Sequence, residues 1–435
     1  MGSFGGWTRR RCRQPRVSPM VPIGMPACKA ARKTGRTESL KLLSCCALFA
    51  FTTAIGIAGQ STPTSNGTAA GAGRRAGAFT SLYSFKGAPD GQVPLAGLLL
   101  FDGALYGTTE WGGNKGCSAY GCGTVFKVTM TGKETILHRF TAGPDGEYPF
   151  GGLTEIGGML YGTTHDGGIG AGRVFGITRS GKIRTIYDFR GGSDGALPTG
   201  TLFNVGGALY GTTVSDGAGG NCGTVFKVLA QAAAVGTERP LYGFKGGSDG
   251  CNPLNTPLIE LNGTLYGTTY VGGAQGTVFS VTPSGTEAIL HRFGGGSDGI
   301  NPIAGLVALN GTLFGTTYHG GANGPNGGGI VFAITPTGTE TVLHSFGTGS
   351  DGAEPDAGLV AVNDTLYGTT AAGGTSGKGT IFKITPSGVE TVLHSFTGAD
   401  GAEPVANLID VKGTLYGTTA IGGSSNDGTI FSIAL

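Results

Sequence analysis

Charge is scarce in this sequence: Asp, Glu, Lys and Arg together make up 13% of 435 residues. The formal net charge of +2 conceals an uneven split. Residues 1–58 carry ten Lys and Arg against the single acid Glu38, so the remainder holds 19 basic and 26 acidic residues, a net of −7. That remainder lacks the basic face that nucleic acid requires, and no nucleic-acid partner is expected. Long apolar runs are absent but for one, at residues 42–58. Helical periodicity is missing from everything that follows. No P-loop, no His-Glu-x-x-His and no G-x-S-x-G elbow is expected. No cofactor is expected.

The single apolar run follows the basic stretch and ends on small residues, with Gly56 and Ala58 before Gly59. A positive segment, an apolar segment and small residues at the cut read as a secretory signal over 1–58, with translation starting at Met1, Met20 or Met25. The alternative is an uncleaved anchor, since the run approaches spanning length. No membrane insertion is expected beyond this segment. Residues 59–77 are a Gly/Ala/Ser/Thr linker, and 78–435 form the folded domain. The expected location is extracellular, periplasmic or at the cell surface.

What the chain has in excess is glycine, 88 residues, which with 20 prolines is about a quarter of the total, a level typical of low complexity when aperiodic. Here it is periodic. The tag "LYGTT" begins at Leu105, Leu160, Leu209, Leu265, Leu366 and Leu415, with "LFGTT" at Leu313. The mean spacing of about 52 residues lies in the range of propellers and solenoids. Each unit has an apolar strand, a two-residue turn such as Asn262-Gly263 or Asp102-Gly103, the tag strand, a Gly-rich loop, a "GTVFKVT" strand and an "ETVLHSF" strand. Asn-Gly and Asp-Gly suit the positive φ of type I′ hairpins. Seven units of four antiparallel strands make an all-β, seven-bladed propeller. The last unit lacks its fourth strand, and "TSLYSF" at 80–85 supplies it, since an unpaired seam would leave two sheet edges open.

The pattern LYGTT…GG…GTVFKVT…ETVLHSF…GG.DG..P resembles the GloVer tandem repeat, named for two bacterial groups, over about residues 80–435. The resemblance implies an exported bacterial propeller, often with a C-terminal anchor that this sequence does not show. It implies no activity and no catalytic residues. Kelch propellers share the Gly doublet and the period, without the downstream Tyr and Trp pattern.

In a meander, the Gly-rich loops and the inter-blade "DG..P" loops share one face, which carries most of the variation between units. The seven aspartates, Asp90 to Asp400, sit one per blade, too far apart for one calcium ion, and are read as turn residues. His138, His291, His344 and His394 share a strand position with Tyr83, Tyr187 and Tyr242, which reads as packing between blades. No metal site is assigned. After the tag, Glu110, Trp111, His165, Asp166, Tyr270, Tyr318 and His319 form an uneven rim suited to stacking on and hydrogen-bonding a sugar. Loop drift with local packing is the alternative reading of that rim. Cys117, Cys122, Cys222 and Cys251 remain after the signal, and the pairs Cys117–Cys122 and Cys222–Cys251 are expected, in keeping with export.

The expected function is non-catalytic: a monomeric secreted or surface propeller that recognises a glycan or an extracellular protein through the loop face. One alternative is a structural surface-repeat protein without a discrete ligand. The other is a carbohydrate-active enzyme, for which Glu110 and Asp166 are the pair to test.

Overall fold

In a computed structural model, the described residues are 77–435 except 115, 218–219, 231–237, 325–326 and 348. The expected signal segment, and all of the expected linker but its last residue, lie outside them.

Each unit folds into an antiparallel sheet in the expected order. Blade one is Leu99–Phe101, Ala104–Thr109, Thr124–Thr129 and Glu134–Arg139. Five further blades repeat it, and in blade seven the strand order ends on Phe79–Ser84, paired antiparallel with Thr429–Ala434. The displaced strand therefore closes the ring. First strands of successive blades approach one another, which places them innermost. The two-residue turns adopt the I′ form: Asp102 and Gly103 have φ 50° and 72°, Asn262 and Gly263 have 54° and 77°.

The tag has a physical reading residue by residue. Its Leu and aromatic are buried. Its Gly lies against a core Phe. A Cβ added at Gly315 would meet Phe332 Cζ at 2.6 Å, and one at Gly107 would meet Phe126 Cζ at 2.6 Å. The first Thr couples blades: Thr108 Oγ1 donates to the Gly151 carbonyl and Thr268 Oγ1 to Ala304, and Thr418 Oγ1 reaches back to Pro94, completing the circle. Thr163 Oγ1, in blade two, is buried without a partner. The second Thr caps the following loop, as Thr109 Oγ1 does by bonding the Trp111 carbonyl and Thr124 Oγ1.

The core is divided among the seams. The Phe closing each fourth strand stands edge-on to the Phe of the next blade's third strand, from Phe85 on Phe126 (5.2 Å) round to Phe396 on Phe431 (5.2 Å). These rings are fully buried. A blade that carries its core at its borders cannot be packed alone. Gly315→Ala, which forces a methyl into Phe332, is expected to cost about 1–3 kcal/mol by overpacking. Urea denaturation of the variant would measure it, and an unchanged midpoint would refute the steric account.

Candidate functional site

The loop face is held together by glycine. The second Gly of each doublet donates its N–H to the adjoining inter-blade loop, as Gly113 does to Asp90 O and Gly168 to Gly143 O. The first Gly lies close to the same backbone: a Cβ on Gly112 would sit 2.3 Å from Asp90 O. The residue before each loop proline has positive φ without being glycine: Val93 57°, Tyr148 56°, Leu197 62°, Asn252 57°, Asn301 58°, Glu354 58° and Glu403 54°. That conformation is costly for Val, Leu and Tyr, and is held here by the surrounding structure. The same residue's carbonyl accepts the N–H of the first variable residue after the tag, as Tyr148 O does from His165 and Glu354 O from Ala371.

On this frame the seven rim residues fall into two groups. The first belongs to blades one and two. Trp111 stacks on Tyr120 with ring centroids 5.0 Å apart, and Tyr120 stands 54% exposed. Tyr120 lies inside the loop closed by the Cys117–Cys122 disulfide, so the crosslink presents the ring to solvent. Next to Trp111 in the chain, Glu110 is buried, and burial pushes its carboxyl up to about 8 against a hydrogen bond with Trp111. Tyr148 and Phe150 join this group. Burial raises the Tyr148 phenol, with Glu147, Asp166 and Glu110 adding to the rise and Ser118 opposing it. His165 packs on Phe150 at 5.0 Å, and its Nδ1 lies 3.0 Å from Asp166 Oδ2. Asp166 Oδ1 is buried with no hydrogen-bond partner.

The second group belongs to blades four to six. Tyr318 packs on His319 at 4.4 Å and donates from its hydroxyl to Glu354 Oε2 at 3.1 Å. Burial, then the charges of Glu354 and Asp356, push the Tyr318 phenol far up, with Tyr270 a smaller contributor. Burial lowers the His319 imidazole, against the attraction of Glu354. Asp356 is driven to about 7 by burial and by Glu354 and Glu403.

Sequence reasoning missed Tyr120, Tyr148, Phe150, Glu354 and Asp356. The signal available was the pair of columns flanking the loop proline, where Tyr148 and Phe150 stand against Val93 and Leu95 one blade earlier.

The other seven-fold features are structural. The Asp of each inter-blade loop accepts from backbone, as Asp194 does from Arg190 N and Asp249 from Lys245 N. It also meets the His or Tyr of the preceding strand: Tyr83–Asp90 2.8 Å, His138–Asp145 3.1 Å, Tyr187–Asp194 2.7 Å, Tyr242–Asp249 2.7 Å, His291–Asp298 2.9 Å, His344–Asp351 3.3 Å and His394–Asp400 2.9 Å. The strand position takes either ring because each can donate to a carboxylate. The string G-x-S-x-G does occur, at residues 191–195, 246–250 and 295–299, but its Ser lies in a single 3-10 turn with no helix after it. Both expected disulfides form, Cys117–Cys122 and Cys222–Cys251, the second joining a Gly-rich loop to the next inter-blade loop.

A profile described as the Gloeobacter/Verrucomicrobia repeat matches residues 115–325 and 273–435. No curated protein matches the chain. Among solved structures it is similar to a candidate 6-phosphogluconolactonase from Bacteroides uniformis, at 14% identity and TM-score 0.45 over 73% of this chain and 89% of that one. It is similar also to a gluconolactonase from Xanthomonas campestris, at 12% and 0.42 over 82% and 89%. A sialidase from Trypanosoma rangeli matches at 10% and 0.43 over 82% and 59%. Nothing about activity transfers at such identity and overlap.

Proposed function

The chain belongs to the Gloeobacter/Verrucomicrobia repeat family, and on that premise we propose that it is an exported binding propeller whose loop face takes a carbohydrate at blades one and two. The observation that carries the reading is the stacked Trp111–Tyr120 pair, whose Tyr120 ring is open to solvent, in the group that also holds Asp166. An exposed aromatic face suits the apolar side of a sugar ring, and the partly exposed carboxylate of Asp166 suits its hydroxyls. The unpartnered Asp166 Oδ1 is an acceptor awaiting a donor. The two disulfides fit an oxidising compartment outside the cytoplasm.

The test is binding of the purified protein to a broad panel of glycans and cell-envelope polysaccharides. Saturable binding to at least one member is expected, weakened about tenfold or more in both Trp111→Ala and Tyr120→Ala, in line with the loss of a central aromatic anchor. Binding indifferent to both substitutions would remove the site from blades one and two, and a blank panel would remove the carbohydrate.

One observation favours a second reading, glycoside hydrolysis. Glu110, at about 8, keeps its proton at neutral pH as a general acid must, and a second carboxylate, Asp166, lies in the same group. Release of product from an aryl glycoside, abolished by Glu110→Gln, would replace the binding reading with the catalytic one.

A further inference from the structure

Where blade four meets blade five, the fourth strand Glu287–Arg292 brings His291 to Asp298 of the following loop. The next blade's fourth strand, Glu340–Ser345, opens with Glu340 at the same place. One ligand atom from each of the three residues lies within 4.8 Å of the other two. We propose that this seam binds a single divalent transition-metal ion through His291, Asp298 and Glu340.

His291 Nε2 and Asp298 Oδ1 are 2.9 Å apart. Ligands about 2.0–2.1 Å from a zinc-sized ion are separated by roughly 3–3.4 Å, so small rotations of these side chains admit the metal between them. Asp298 can serve both roles, since its other oxygen accepts from Gly294 N and keeps the loop in place. Glu340 Oε1 is buried and has no hydrogen-bond partner, an unsatisfied acceptor that a cation would satisfy. His291 and Asp298 retain 20% and 27% side-chain exposure, enough for an ion to enter and for water to complete its coordination. An imidazole with two carboxylates suits zinc-type ions better than calcium or magnesium, which favour all-oxygen sets.

The other seams serve as internal controls. Glu134 and Glu287 have the same orphaned oxygen but face Tyr83–Asp90 and Tyr242–Asp249, where a neutral phenol replaces the imidazole. At His138–Asp145 the next blade offers Ile183 in place of the Glu, and at His394–Asp400 it offers Phe79, whose ring stacks on His394 at 3.9 Å. The trio His344, Asp351 and Glu390 repeats the residue types with a longer His–Asp approach of 3.3 Å, and among the described residues only the blade-four seam gathers all three atoms. The sequence offered no metal site because it showed one Asp per blade. The third ligand comes from the neighbouring unit, 42 residues on. The proposal is independent of the carbohydrate reading, as it concerns a different part of the ring.

Titration of Zn²⁺ into the untagged full chain, with thiols blocked and prior dialysis against chelator, tests it. One Zn²⁺ per chain is expected, with a zinc-dependent rise in melting temperature, and no such effect from Mg²⁺. His291→Tyr installs the ring that three other seams already use, and Glu340→Gln keeps the shape of the side chain. Both should fold as the parent does in chelator and should bind zinc at least ~10–100-fold more weakly, the range seen when even an outer partner of a metal ligand is lost. A parent with no saturable site overturns the proposal, as does zinc binding of parental strength in both variants.

Discussion

Removal of residues 77–85 is expected to abolish cooperative folding of the propeller, not merely to lower its melting temperature. The strand Phe79–Ser84 supplies the outer edge of blade seven, in register with Thr429–Ile433. Phe79 packs on His394, Phe396 and Phe431, at 3.9, 5.7 and 5.6 Å. Phe85, fully buried, faces Phe126 of blade one. Both seams that flank blade seven lose packing together, and the third strand of blade seven is left with free backbone groups. Phe85→Ala alone should cost about 3–5 kcal/mol, a large part of the 5–15 kcal/mol that a typical domain has available. Near-ultraviolet dichroism and urea denaturation would follow the loss. A truncated chain that melted cooperatively at the parental temperature would show that the clasp is ornamental.

The second large effect expected is with pH. Glu134, Glu287, Glu340 and Glu390 each open a fourth strand beside the Asp of a preceding loop. Burial, then the neighbouring aspartate, raises Glu134, Glu340 and Glu390 to about 7 and moves Glu287 in the same direction. A carboxyl whose folded pKa exceeds its unfolded value binds more protons in the native state. Its contribution is complete below the ordinary carboxylate range and is lost as pH rises through about 7. Glu110, at about 8, and Asp356, at about 7, act with the same sign. Asp145 and Asp400 act oppositely. Burial would raise them, but hydrogen bonds from His138 and Thr141, and from Thr397 and His394, hold them below the usual value, so their contribution disappears only in stronger acid. The denaturation midpoint is therefore expected to peak on the acid side of neutrality and to decline steadily from about pH 5 to pH 8. Replacing Glu134, Glu287, Glu340 and Glu390 with Gln should flatten that decline. A midpoint that rose across the interval in the parent would contradict the account.

Much of this architecture was legible beforehand because it is stated seven times. The tag, the hairpin dipeptides and the stray strand at 80–85 each report a local backbone requirement, and the ring follows from counting them. Both disulfides were legible because loop order on one face left few neighbours. The pairing of His or Tyr with the loop aspartate was not. Each column was visible, but the reason they belong together is a turn that folds His291 back onto Asp298 seven residues later. A periodic sequence shows such columns without saying which of them touch. The candidate site was half legible for a related reason. Trp111, His165 and Asp166 stood out as departures from a repeated frame, whereas Tyr120 sits in a disulfide loop that no other unit has, so there was no column for it to depart from. Glu110 was picked as a rim residue, and the structure buries it.

The clasp also sets an order of events. Phe79 belongs to the first strand of the propeller, and its partner Ile433 belongs to the last strand, in chain order, of blade seven. Nearly the whole domain separates two strands that must lie side by side, which makes this the contact of longest sequence separation in the ring. Until the final strand leaves the ribosome, the first one has no native edge to join. A ring closed in this way stays open at blade seven until both its first and its last strand have been made.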